Sequence, residues 1–137
     1  HFNQMSYWIA TEIVKQCNLS ERIQALETVI QIAEESIRIH SYNTAMAILC
    51  GLSLSSVSRL KETWNGISEE NRIIFEGVES FLSAEGNYAK LREATKKNQP
   101  PVVPYFGMYL KDLTFLDVGN ETYLDENKEC VNFGKPR

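Results

Sequence analysis

The residue types that most often make and break bonds are sparse in this chain, and their spacing suits no familiar chemistry. His1 and His40 stand far apart and are not spaced as metal ligands with one another or with Cys17, Cys50 or Cys130. No metal site is expected. The sequence contains no Gly-x-Ser-x-Gly elbow, no phosphate-binding P-loop and no Gly-x-Gly-x-x-Gly turn, so neither a hydrolase nucleophile nor a nucleotide cofactor is supported. The acidic pairs Glu34-Glu35, Glu69-Glu70 and Asp125-Glu126 are sequence neighbours, which do not share a helix face, and read as solvated surface. His40 falls near the end of a helical pattern, where a protonated imidazole suits the helix dipole. The expectation is a protein without a cofactor and without covalent catalysis.

Binding through a surface remains. The stretch PPVVPYFGMYLKDLTFLDVGN, residues 100 to 120, sets three prolines around a group of aromatics (Tyr105, Phe106 and Tyr109, with Met108). Proline fixes φ and removes a backbone donor, so this segment must enter as a stiff, extended piece. Aromatics and Met are favoured interface anchors, although most such rings pack inward. The formal net charge of −4 and the pI near 5.2 argue against a nucleic-acid partner, which needs a basic face. Lys96-Lys97 is an isolated basic doublet and reads as a solvated loop.

The elements that position these residues are helical. The 137 residues, 43% hydrophobic and 23% charged, suffice for one domain with one core. Phe2, Met5, Ile9 and Ile13 fall on one face of a first helix, with Trp8 beside them. Ser20 is expected to cap a second helix with a stripe of Ile23, Leu26, Val29, Ile30, Ala33 and Ile37. The run AMAILCGL, 45 to 52, is apolar nearly all round and follows a cap expected at Asn43. It therefore needs neighbours on most sides, which predicts a multilayer helical domain. Cys50 in that run reads as a buried free thiol, and three widely spaced cysteines fit a reducing compartment. Ser68 opens another helix with Glu69 and Glu70 in its first turn and a buried face of Ile74, Phe75, Val78, Phe81 and Leu82. Gly86 marks a break before a short helix ending ahead of Pro100. The segment GMYLKDLTFL is compatible with a helix or with turns, and the polar stretch after it reads mostly as loop. No run is long and apolar enough to span a membrane. No solenoid repeat is present.

Taken in order, five stretches resemble the catalytic domain of Ras-family guanine nucleotide exchange factors, the RasGEF or Cdc25-homology domain. HFNQMSYWIATEIV is similar to the family's helix with the pattern Phe-Asn, then Trp, then Glu-Ile. RIQALETVIQIAEESIRIHSYNTAMAILCGL, VSRLKETW, the proline stretch and VNFGKPR resemble further family elements. The chain departs from the family pattern at His40-Ser41-Tyr42-Asn43, which stands where Asn-Asn-Phe-Asn is usual. Val102 replaces a common Cys, and Pro136 replaces a basic or apolar residue.

The resemblance implies an all-α, multilayer helical fold and a groove that grips switch 2 of a Ras-like small GTPase (Ras, Rap or Ral). In the family a helical hairpin then displaces switch 1, and the nucleotide leaves. Carried over by position, the GTPase-binding residues are Thr28, Gln31, Ile32, Ile73, Tyr109 and Phe133. Asn43, Arg59, Pro101 and Pro104 match structural positions, with Arg59 and Asn43 tying loops to helix ends. The resemblance implies that residues 1–137 form the middle of one such domain, truncated at both ends, without the N-terminal layer and the C-terminal hairpin. A piece of that kind is expected to be exchange-deficient by itself. The parent is expected to be cytoplasmic and recruited to the inner face of the plasma membrane. The alternative is a catalytically silent helical scaffold, or pseudo-exchange domain, that binds a protein partner.

Overall fold

The computed structural model describes residues 1–124 and 129–135, and its elements are helices. They are α1 (Phe2–Val14), α2 (Leu19–Arg38), α3 (Tyr42–Ser53), α4 (Ser55–Ser58), α5 (Lys61–Gly66), α6 (Glu69–Leu82), α7 (Ala89–Lys97) and α8 (Phe106–Gly119). No strand occurs among the described residues, which carry only two isolated bridges. The all-α expectation holds. The helices fall into two units, His1–Tyr105 and the segment from Phe106 onward.

In the first unit α3 is the central helix. Ala45, Met46, Ala47, Ile48 and Leu52 are buried on it, and α1, α2, α4 and α6 all pack against it. This is the surround that its all-round apolarity predicts. Helix α1 approaches closely because Gly51 presents no Cβ: one built there would stand 2.7 Å from the Ser6 carbonyl oxygen. Ser6 Oγ donates to the Ala47 carbonyl at 2.8 Å across the same seam. The stripe on α2 buries Leu26, Ile30 and Ala33 fully, and Ile23, Val29 and Ile37 partly.

Two of the caps differ from expectation by two residues each. Asn18, not Ser20, caps α2, its side-chain oxygen accepting from Ser20 N at 2.9 Å. Helix α3 begins at Tyr42, after Ser41, so Asn43 lies inside its first turn. Ser68 does cap α6, accepting from Asn71 N at 3.3 Å. Beyond α6, Gly86, Asn87 and Tyr88 all have positive φ, a left-handed turn that starts at the predicted break.

The proline stretch docks through one residue. Val103 N donates to the His40 carbonyl at 2.9 Å, and the Val103 carbonyl accepts from Tyr42 N at 2.9 Å and Asn43 N at 3.3 Å. Between Pro101 and Pro104, where backbone donors are few, Val103 makes this two-way connection. Tyr105 then packs its ring against Phe2 and Tyr88 at 5.8 and 5.6 Å between centroids. Tyr42 is buried, stacks on Phe81, and accepts from Asn98 Nδ2 at 2.6 Å.

In the second unit, the segment whose periodicity was ambiguous forms α8. Its residues are apolar around the helix, so no stripe distinguishes it from turns, yet fourteen residues are helical. A bridge pairs Tyr123 with Val131.

Candidate functional site

The residues expected at the partner site lie on one element pair of the first unit and on two elements of the second. On α2, Thr28 is exposed and its hydroxyl donates back to the Gln24 carbonyl at 2.8 Å. Ile32, one turn on, is 49% exposed. Gln31 reaches sideways: its Nε2 donates to Asn71 Oδ1 on α6 at 3.2 Å. Ile73, two residues further along α6, is 62% exposed. Two apolar side chains that burial would favour thus stand in water, on helices that are joined by a polar bond.

Around that bond lies a polar seam absent from the sequence reading. Glu27 Oε1 accepts from the backbone N of Ser68 at 2.7 Å. This bond is the main cause holding the Glu27 carboxyl below its ordinary value, against partial burial that raises it. Asn71, 6% exposed, donates from Nδ2 to Ser68 Oγ at 2.9 Å. The signal for Ser68–Asn71 was local, a cap residue followed three positions later by a polar amide. Glu27 gave none, since its partner lies 41 residues away.

On the other flank of α2, Met5, Trp8, Ile9, Val29, Ile32 and Ile48 line an apolar depression of about 500 Å³ between α1, α2 and α3. Trp8, placed beside the core stripe in the sequence, is 61% exposed there. Ile32 belongs to this depression and to the exposed row of α2.

The four structural positions behave differently. Pro101 is exposed and Pro104 half-buried, on either side of the Val103 connection. Asn43 ties α3 to that segment through its backbone N rather than through its amide. Arg59 is exposed at the end of α4, and among the described residues its guanidinium makes no hydrogen bond. Arg22 makes a tie between elements. Its Nε donates to Thr63 Oγ1 and its Nη1 to the Gln16 carbonyl, both at 2.9 Å, joining α2, α5 and the α1–α2 connection.

In the second unit Tyr109 lies on α8, 40% exposed, and Phe133 is 87% exposed in the loop beyond. That loop is held by polar bonds. Asn132 N donates to the Thr122 carbonyl at 2.9 Å and Asn132 Nδ2 to the Glu121 carbonyl at 2.9 Å. Lys135 Nζ pairs with Asp117 at the end of α8 at 2.6 Å and donates to Thr122 Oγ1 at 3.1 Å. Phe133 sits between these two anchors, and its ring is exposed among the described residues. Pro136 lies outside the described residues.

Among the described residues no group of histidine, cysteine or acidic side chains is arranged to hold a metal. Cys17, Cys50 and Cys130 form no disulfide among the described residues, and Cys50 is half-buried, with burial pushing its pKa up. No described helix is long and apolar enough to cross a membrane. Exposed apolar side chains on rigid helices, with a polar seam behind them, suit recognition of a protein surface.

The sequence model of the RasGEF domain matches residues 1–137. The chain belongs to the RasGEF domain family. It is 36% identical over 137 residues to the human Ras-specific guanine nucleotide-releasing factor 1, covering all of this chain and 11% of that protein. The rat Ras-specific guanine nucleotide-releasing factor 2 is also 36% identical over all of the chain. Ras guanine nucleotide exchange factor K of Dictyostelium discoideum is 37% identical over 134 residues, 98% of this chain and 8% of that protein. The RasGEF chain described here thus spans about a tenth of its curated relatives' length.

Proposed function

We propose that this RasGEF chain is the switch 2-binding part of a guanine nucleotide exchange factor for a Ras-like GTPase, whether Ras, Rap or Ral. The observation that carries the reading is the exposure of Ile32 and Ile73 on two helices linked through Gln31 and Asn71. In this reading Thr28, Gln31, Ile32 and Ile73 meet the GTPase from the first unit, and Tyr109 and Phe133 meet it from the second. The names of the relatives, which release or exchange guanine nucleotide, support the same assignment.

The action needs no bond chemistry. An exchange factor works by binding the nucleotide-free GTPase more tightly than the loaded one, and the nucleotide in turn weakens the factor by the same ratio. A tenfold preference corresponds to about 1.4 kcal/mol. A few aromatic and aliphatic anchors supply that readily. Because Ras-like GTPases are lipid-anchored, the parent protein works at the inner face of the plasma membrane. Residues 1–137 alone bind the GTPase without expelling its nucleotide, because in the family the expelling element is a hairpin beyond the VNFGKPR stretch.

The test is release of a fluorescent GDP analogue from purified Ras, Rap and Ral. Residues 1–137 are compared with a longer chain that carries the complete family domain. Acceleration of one GTPase by the longer chain only is the expected result, and it names the substrate. Acceleration by residues 1–137 alone overturns the second half of the reading. Binding of a GTPase without release by the folded longer chain favours the scaffold alternative, and absence of both binding and release overturns the reading.

A further inference from the structure

We infer that Glu27 is a positioning residue: by fastening α2 to the N-terminus of α6 it sets the rotation of α2, and with it the stance of Thr28, Gln31 and Ile32 toward the partner. The inference rests on the exchange reading above.

The seam is attached at two points one turn apart. Glu27 and Gln31 are i and i+4 on α2 and therefore share a face. Glu27 takes the Ser68 backbone N–H at 2.7 Å, and Gln31 gives its amide proton to Asn71 Oδ1 at 3.2 Å. Ser68 and Asn71 are themselves joined twice, Asn71 N and Nδ2 both donating to Ser68 Oγ. A closed circuit results, running from α2 through the first turn of α6 and back to α2. Apolar packing between the helices is non-directional and tolerates small rotations, whereas hydrogen bonds weaken steeply as they bend. Two of them a turn apart therefore fix both the separation and the rotation of α2 against α6.

The rotation matters because the exposed row is the next face round. Thr28 and Ile32 directly follow Glu27 and Gln31, so they flank the seam at one residue's turn from it. A rotation of α2 by about 20° would carry a side-chain end at a radius of about 6 Å through about 2 Å. Misplacement on that scale is enough to spoil a close-packed contact. Glu27 is the attachment at the N-terminal side of this row, and its carboxylate is the seam's sole charged member. It also faces the positive end of α6, where a negative group is favoured.

A residue that acts through geometry separates from one that only stabilises when binding and stability are read together. The complete family domain is compared with Glu27→Ala and Glu27→Gln by initial GDP release at increasing GTPase concentration, with the thermal midpoint measured alongside. Gln keeps the length and an acceptor for Ser68 N, and Ala keeps neither. Glu27→Ala is expected to raise the half-saturating GTPase concentration about tenfold with a smaller change in maximal rate, and Gln to restore most of it. An unchanged half-saturation in Glu27→Ala overturns the inference, as does a loss fully explained by a reduced folded fraction. If Ala prevents folding, Glu27→Asp gives the same reading, since it keeps the charge but shortens the reach to the Ser68 backbone N. It is expected to raise half-saturation several-fold, and no change there overturns the inference. Silence of the unmodified domain on Ras, Rap and Ral removes the exchange reading, and the inference with it. Activity of the unmodified domain with an indifferent Glu27→Ala removes the inference alone.

Discussion

Arg22 Nε donates to Thr63 Oγ1 at 2.9 Å, and Thr63 is 1% exposed. The same guanidinium reaches the Gln16 carbonyl, so one side chain holds α5 and the α1–α2 connection to the first turn of α2. Arg22→Ala is expected to lower stability by about 1–3 kcal/mol, because it leaves a buried hydroxyl unpaired. Lys cannot copy a planar fork that bonds in two directions, so Arg22→Lys should recover less than half of that. Urea unfolding midpoints of the three proteins measure both effects, and an Arg22→Lys midpoint equal to that of the parent would contradict the fork's importance.

Gly51 and Gly66 offer a paired comparison. A Cβ at Gly51 would press on the backbone oxygen of Ser6 and on Ile9, so α1 and α3 must part. At Gly66 the obstacle is the far end of the Ile23 side chain, which can rotate away. Gly51→Ala is expected to cost about 1–3 kcal/mol, with Gly66→Ala well below it. The order is the test, read from thermal midpoints, and its reversal would mean that the α1–α3 seam is looser than its geometry.

How far the molecule was legible from sequence follows from the range of its interactions. The stripe of α2 and the all-round apolarity of α3 are local patterns, and both led to the right elements and to a multilayer arrangement. The caps went astray by a residue or two because Asn18 and Ser20, or Ser41 and Asn43, are equally good cap types. Only the backbone turn chooses between them. Helix α8 carries apolar residues on every side, so period could not separate it from turns. Ties between distant elements were beyond reach. Arg22–Thr63 and Glu27–Ser68 each span 41 residues, and nothing near Arg22 marks it above Arg59. The proposed binding face was approached through family resemblance, which named Gln31 but had no view of the seam behind it.

Protonation of Glu27 should be visible in stability. Its carboxyl titrates below the ordinary glutamate value of 4.5 in the folded chain, chiefly through the Ser68 backbone bond. A depressed folded pKa adds stability that is present above the unfolded pKa and is lost as pH falls through the folded one. Glu35 and Glu93 are shifted the same way by Arg38 and Lys97, so the parent's acid profile sums several groups. The difference between the parent and Glu27→Gln isolates one of them. That difference is expected to be constant near neutrality and to shrink as pH falls below about 4.5. A difference independent of pH between 6 and 3 would contradict the depressed value.

Phe133 and Ile32 separate binding from folding most cleanly. Phe133 is 87% exposed between the anchors at Asn132 and Lys135, and Ile32 is 49% exposed on α2. Truncating an exposed side chain removes little packing, so Phe133→Ala should move stability by no more than about 0.5 kcal/mol. Ile32→Ala, half-buried against the depression beside α1, should cost more, about 1 kcal/mol. If these rings and chains are the anchors of the GTPase contact, each truncation should weaken binding to the nucleotide-free GTPase by about 2 kcal/mol, or roughly thirtyfold. Affinity for nucleotide-free GTPase and thermal midpoint, measured on the complete family domain, decide it. Loss of affinity without loss of stability places Phe133 in the contact. Unchanged affinity in Phe133→Ala would remove it and leave the α2–α6 face to carry recognition.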